Sequence, residues 1–392
     1  MLLTGRSLHF LLMPAACVSV FVACSGGAPP EAYFRQVTDP DGVRAVENGL
    51  LPVEWPGSLP RLVLEEVARI GSTEGPDEQL LSSPWSPYAV DPDGRVAYLE
   101  RRPSEMRVYD PDGRFLFRVG RSGDGPGEFR IGYVLEAVPG LGWMVAGSPN
   151  RLVLFNQDGQ LLETISTRAL PGSILNRMGL RADGTLWYFT DEPVRFGVNR
   201  SRLMLADWKG MTADTVATMP RTEIEVRNDY GLETYYPQSL AIGPGGRAWT
   251  STSFDYVIEV YGHSTGDRLR LRRDFEPVPD SDYGKGNDES MWTGSVMNFK
   301  RIYARALRFY PAIKGLHWID DRELWVFTSV PADSTHLQVD VFSPEGRYLR
   351  AFSADDRIQR AKFAAGHAWL LTTDEEEVPV LIRYRYRLEP SP

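Results

Sequence analysis

Apolar and polar residues alternate along most of the chain, and the alternation comes in short runs separated by turn residues. In Met106–Phe129 one run holds Met106, Val108 and Tyr109, and a second holds Phe115, Phe117 and Val119. Between them stands Asp110-Pro111-Asp112-Gly113, where Asp-Gly supplies the positive φ that a hairpin turn needs. Gly120–Gly127 follows and is too rich in Gly and Pro for strand or helix. A two-stranded hairpin cannot bury its apolar face alone, so the pattern predicts copies of itself.

Six further runs read as one recurring strand: Arg95–Leu99, Gly142–Val145, Thr185–Thr190, Arg247–Ser251, Glu323–Thr328 and His367–Thr372. Each follows a turn such as Asp93-Gly94, Asp183-Gly184 or Asp320-Asp321. Trp143, Trp187, Trp249, Trp325 and Trp369 recur in five of them, with Tyr98 in the other, as expected where sheets pack face to face. A second turn follows in five units, at Asp112-Gly113, Asp158-Gly159, Lys209-Gly210, Thr265-Gly266 and Glu345-Gly346. The period of roughly 45 residues is that of a four-stranded propeller blade. The last unit lacks a fourth strand, since only Val378–Arg387 follows Trp369. Arg61–Ile70 is a spare strand near the other end, followed by an acid-Gly-Pro signal like that after Val119. Pairing the two would close a ring and remove exposed sheet edges. The expectation is an all-β, six-bladed β-propeller of four-stranded antiparallel blades over residues 59–389, closed by its N- and C-terminal strands; two separate β-domains are the alternative.

These residues resemble six-bladed β-propellers with NHL-like repeats, of the bacterial lipoprotein type. The resemblance is carried by Gly120–Phe129 (GRSGDGPGEF), by Ser148–Phe155 with Gly159, and by the lead-in Asp39–Trp55, and it covers about residues 40–388. It implies the fold and leaves activity open, because such relatives include binding scaffolds as well as lyases and lactonases. One insertion, 276–315, interrupts the blades. Its first half is acidic. From about 292 to 310, Val296, Phe299, Tyr303, Ala306, Leu307 and Tyr310 fall at helical spacing, opposite Arg301, Arg305 and Arg308, which predicts an amphipathic helix ended by Pro311.

The first 23 residues carry one basic side chain, Arg6, before an apolar run from Leu8 to Ala23 that is short for a membrane span of about 20 residues. The run ends in Phe21-Val22-Ala23-Cys24-Ser25-Gly26-Gly27 and resembles a bacterial lipoprotein signal. That resemblance implies cleavage before Cys24, acylation there, a lipidated tether and lead-in over 24–58, and a place in the cell envelope, with Ser25 pointing to the outer membrane. An ordinary signal peptide or an uncleaved anchor is the alternative. Cys17 would leave with the signal, so the folded part would have no disulfide and no Cys metal site.

Composition narrows the partners. Of 392 residues 42% are hydrophobic and 24% charged, as in a globular chain, and the net charge of -9 argues against nucleic acid, whose phosphates need a basic face. The histidines show no metal-ligand spacing, and His263, His317, His336 and His367 each read as blade or loop residues. Asp280–Glu289 has alternating oxygen ligands but Lys285 where a calcium loop needs Gly. Neither metal nor cofactor is expected, and there is no nucleophile motif. The site-like signal is a set of aromatic-Pro links entering blades: Trp85-Ser86-Pro87-Tyr88, Tyr235-Tyr236-Pro237 and Phe309-Tyr310-Pro311. In a propeller such links lie on one face, around the axis. Trp85, Tyr88, Arg130, Tyr133, Tyr236, Arg301, Arg305, Arg308 and Tyr310 are therefore the candidate binding residues, against the plainer reading that the aromatics staple blades together. The expected function is that of an envelope-tethered module binding an unknown small ligand or envelope protein. The alternative is a metal-dependent lyase or lactonase with its site at the axial channel. That alternative needs carboxylates or histidines on innermost strands, where Tyr88-Ala89-Val90, Ser239-Leu240-Ala241 and Gly315-Leu316-His317 look mostly apolar or small.

Overall fold

The computed structural model describes residues 33–172, 178–192, 200–209, 211–218, 225–228, 231–234, 239–251, 255–264, 266–279, 299–301, 312–332 and 335–390. The alternating runs form antiparallel four-stranded units that follow one another in sequence. Blade 1 comprises Tyr88–Val90, Val96–Arg101, Ser104–Tyr109 and Phe115–Val119. Blade 2 comprises Ile131–Val138, Gly142–Ser148, Arg151–Phe155 and Leu161–Ser166, and blade 3 Met178–Leu180, Thr185–Glu192, Arg200–Asp207 and Thr212–Thr218. Blade 4 has Ser239–Ile242, Ala248–Ser251, Val257–Tyr261 and Arg268–Arg273, and blade 5 has Ile313–Trp318, Leu324–Pro331, His336–Phe342 and Tyr348–Asp355. Blade 6 is composite. Lys362–Ala364, His367–Thr373 and Pro379–Glu389 supply three strands, and Arg61–Ile70 pairs antiparallel with Pro379–Glu389 as the outermost, from Arg61 opposite Glu389 to Ile70 opposite Leu381. The spare strand thus completes the last blade.

Apolar clusters lie between the blades and show that the ring is closed. Leu99, Met106 and Trp143 join blade 1 to blade 2, and Met144, Leu154 and Tyr188 join blade 2 to blade 3. Trp187 and Tyr261 join blades 3 and 4, and Trp249 and Val326 join 4 and 5. Trp325 and Ala368 join 5 and 6, while Trp369 and Tyr98 return from 6 to 1. Six sheets joined in a ring by these contacts make a six-bladed β-propeller.

Register corrects one sequence expectation. Trp187, Trp249, Trp325 and Trp369 hold one position, pairing with Gly179, Ala241, His317 and Lys362 on the innermost strands. In blade 2 that position belongs to Met144, opposite Glu136, and Trp143 is one residue away; in blade 1 it belongs to Ala97, opposite Ala89, and Tyr98 is one residue away. A one-residue step in a strand turns the side chain to the other face. Trp187 and Trp369 therefore pack on the following blade, donating their indole N–H to Gly246 O and Gly94 O at 2.9 and 3.1 Å, whereas Trp143 and Tyr98 pack on the preceding one.

The lead-in is part of the ring. Phe34–Thr38 and Arg44–Asn48 form a hairpin, and Arg44–Asn48 runs parallel to Arg268–Arg273, so blade 4 becomes six-stranded. Asp39 accepts from Arg272 (2.6 and 2.7 Å) and Arg270, and the Arg272 hydrogen bonds hold its pKa down at about 2.

The expected inserted helix is overturned where the structure describes it. Phe299–Arg301 is a strand, paired with Val226–Asn228, which pairs in turn with Gly231–Thr234. An extended partner satisfies the backbone of a segment whose helical signal was only a periodicity, and tertiary pairing overrides so weak a preference. The rest of 292–310 lies outside the described residues.

Candidate functional site: the axial layer

Each innermost strand contributes one residue to a single layer around the axis, fixed by the registers above. In ring order the layer is Ala89, Glu136, Gly179, Ala241, His317 and Lys362. Blades 1, 3 and 4 give it small residues. Gly179 has to be glycine, since a Cβ there would lie 2.2 Å from Ile242 Cγ1. Blades 2, 5 and 6 give it a carboxylate, an imidazole and an ammonium. All three are half-buried, so water reaches them although they lie on the innermost strands.

His317 is held rigidly. Its ring lies edge-on to Phe327 and Phe363, with centroids 5.3 and 5.7 Å away. Nε2 is 2.8 Å from Gln359 O. A carbonyl can only accept, so Nε2 carries the proton and Nδ1 presents a lone pair. Burial, with the charge of Lys362 adding to it, pushes the His317 pKa down to about 4 despite that hydrogen bond, so the ring is neutral at pH 7. Burial pushes the Glu136 carboxyl above its ordinary pKa, and Lys362 offsets this in part. Lys362 therefore acts electrostatically on both other members of the layer. Among the described residues, none makes a hydrogen bond or ion pair with the Glu136 carboxylate, the Lys362 ammonium or His317 Nδ1. Three polar groups in one layer are thus left, among the described residues, to water rather than to protein partners.

The mouth of the channel is built by the links between blades. The turn Asp356–Arg360, between blades 5 and 6, uses two successive carbonyls: Gln359 O accepts from His317 Nε2 and Arg360 O accepts from the Tyr88 hydroxyl at 2.6 Å. Tyr88 Oη also lies 3.0 Å from Trp369 O, so Tyr88 staples blade 1 to blade 6. Trp85 is 71% exposed, with the Arg360 guanidinium 5.3 Å over its ring. Tyr133 is exposed beside Ile131 at the start of the innermost strand of blade 2. Arg130 is turned to Asp124 in a two-pronged surface pair. The Gly-rich link is a folded turn: Glu128 accepts from Gly125 N at 2.8 Å and fills the space beside Gly123, where a Cβ would lie 2.0 Å from its Oε2.

Of the residues expected from sequence, Trp85, Tyr88 and Tyr133 sit on innermost strands or the links leading into them, and Tyr88 is committed to the backbone. Arg301 lies on the short strand Phe299–Arg301. Tyr236, Arg305, Arg308, Tyr310 and Cys24 lie outside the described residues, as does the Asp280–Glu289 loop. Glu136 and Lys362 were missed, and His317 was passed over. The signal was present as spacing: each layer residue precedes its partner on the second strand by eight positions in blades 1 to 5 and seven in blade 6. Among the described residues no three His, Cys, Asp or Glu side chains come together in a way that could hold a metal ion.

The fold is that of a six-bladed β-propeller, with Glu136, His317 and Lys362 at equivalent positions on three innermost strands. In structure the chain is similar to a Bacteroides fragilis protein whose name marks it as exported (TM-score 0.47, 13% identity, covering 88% of this chain and 99% of that one). It is also similar to regucalcin, a calcium-binding protein of Agrobacterium tumefaciens (TM-score 0.38, 14% identity, 83% and 97%), and to the PQQ-bound aldose sugar dehydrogenase of Streptomyces coelicolor (TM-score 0.40, 13% identity, 83% and 99%). No protein-family model matches the chain, and no curated protein matches it in sequence.

Proposed function

We propose that this protein is an envelope-tethered, NHL-like β-propeller that acts as a binding module, with its ligand site at the axial layer. The observation that carries the reading is that Glu136, Lys362 and His317 Nδ1, beside three small residues, have no protein partner among the described residues. Polar groups in a folded interior are normally paired, and a set left unpaired in a solvent-reached channel is arranged for something that comes and goes. The metal-dependent lyase or lactonase alternative lacks a donor set among the described residues. A thermal-shift panel of sugars, organic acids, amino acids and short peptides tests the reading. Ligand binding to the folded state raises the melting temperature, so at least one compound should stabilise the wild type and fail to stabilise Glu136→Gln/Lys362→Met. A panel in which every compound acts alike on both proteins removes the axial site. Tethering is tested separately: Cys24→Ser should move the protein from membranes to the soluble fraction, and unchanged membrane retention would refute lipidation at Cys24.

A further inference from the structure

The chemistry of the three unpaired groups selects a class of ligand. Lys362 offers only donors and a positive charge, which calls for an anion. His317 Nδ1 offers only a lone pair, because its other nitrogen is committed to Gln359 O. It calls for a donor, and a neutral imidazole beside an ammonium gives no advantage to a second cation. Glu136, when ionised, also only accepts. An anion to one side and hydroxyl hydrogens to the other satisfy all three, and Ala89, Gly179 and Ala241 bring no polar side chain to the rest of the layer.

We propose, resting on the axial reading above, that the layer binds a small hydroxycarboxylate: Lys362 holds its carboxylate, and His317 Nδ1 and Glu136 accept from its hydroxyls. A metal ion is a poor fit, because the charge of Lys362 opposes a cation. A zwitterionic amino acid is the nearest competitor, since its ammonium could pair with Glu136. The positive charge on Lys362 weighs against a second ammonium in the layer.

Four three-carbon probes separate the possibilities: glycerate, glycerol, propionate and serine. They have the same skeleton length and differ in the charge, the hydroxyls or the ammonium. Binding to the full chain is read by ligand-observed NMR at millimolar concentration. Glycerate should bind, with glycerol and propionate at least about tenfold weaker, since one lost charge-assisted contact is worth about that factor. Lys362→Met should lose glycerate, Lys362→Arg should keep it, and Arg114→Gln, on an exposed turn, should leave it unchanged. Propionate binding as well as glycerate overturns the roles given to His317 and Glu136. Serine binding more tightly than glycerate, with the preference lost in Glu136→Gln, overturns the proposal in favour of a zwitterion. Glycerate binding equally to wild type and Lys362→Met removes it from the channel. Failure of all four probes overturns the hydroxycarboxylate but not the channel reading, which the wider panel decides independently.

Discussion

Two polar clusters in this propeller are made of similar groups and do opposite things. Between blades 4 and 5, Asp340 is wholly buried and its bonding is complete. It accepts from Tyr256 Oη at 2.6 Å, Tyr348 Oη at 2.8 Å and Gln338 Nε2 at 2.7 Å, with Arg273 Nη1 at 3.1 Å. Arg273 lies between the rings of Tyr256 and Tyr348 and donates to Leu50 O at 3.0 Å, which ties the lead-in to the ring. Asn48 adds to this by donating to Gly346 O and accepting from Tyr348 N. In the axial layer, Glu136, His317 and Lys362 are also an acid and two bases, but among the described residues only His317 Nε2 is paired. A buried carboxylate bonded on all sides fixes one arrangement of the chain, whereas half-buried groups that water reaches remain available for exchange with a ligand. Burial of a fully bonded carboxylate therefore distinguishes the cluster that holds the ring from the half-buried cluster available to a ligand.

The contrast breaks most visibly at Asp340. Asp340→Ala leaves Arg273 charged, buried and unpaired, and removal of one partner of such a pair costs about 3–5 kcal/mol. Urea denaturation should show a loss of that size, and a loss under about 1 kcal/mol would mean the cluster does not hold the blades.

The axial layer should respond to pH instead. His317 has a folded pKa of about 4 against 6.5 in the free state, so the fold favours its neutral form. Its contribution is complete above the free value and is lost as pH falls from about 6.5 to about 4, by up to about 3 kcal/mol. Melting curves across that range should steepen accordingly, and His317→Phe should flatten them. Glu136 has the opposite sign, because burial raises its pKa. Its unfavourable share grows as pH rises out of the ordinary carboxylate range, so Glu136→Gln should be at least as stable as wild type at pH 7. A marked destabilisation by Glu136→Gln would show that this carboxylate is structurally paired.

A smaller effect is expected from Lys362→Met without ligand. It removes an ammonium that has no described hydrogen-bond or ion-pair partner, and the midpoint should change by less than about 1 kcal/mol. Arg130→Gln marks the lower limit. The Asp124–Arg130 pair is exposed, with side chains 47% and 62% accessible, and solvent screening leaves such pairs little to contribute. No measurable shift in melting is expected, so a clear fall would mean that the pair orders the Gly120–Phe129 link.

Much of the fold could be read locally. Period-2 alternation and Asp-Gly turns act over a few residues, and so the repeat, the six recurring strands and the role of Arg61–Ile70 in closing the ring were all visible in the chain. The lead-in strand near Val43–Glu47 was also visible, although its pairing with Arg268–Arg273 was not, because nothing local specifies a parallel partner more than two hundred residues away. The inserted segment misled for a related reason: a helical spacing of apolar residues says nothing about whether a strand such as Val226–Asn228 is waiting beside it.

The site depended on tertiary structure almost entirely. Glu136, His317 and Lys362 belong to three blades, and each looks ordinary in its own sequence context. Only ring closure puts them in one layer, and only the register shows that Met144, not Trp143, marks the equivalent position in blade 2. The sequence by itself determined which segments become strands, because alternation and turn chemistry are local. The tertiary structure decided which polar groups are buried among partners and which meet water, because that depends on where residues from distant blades arrive.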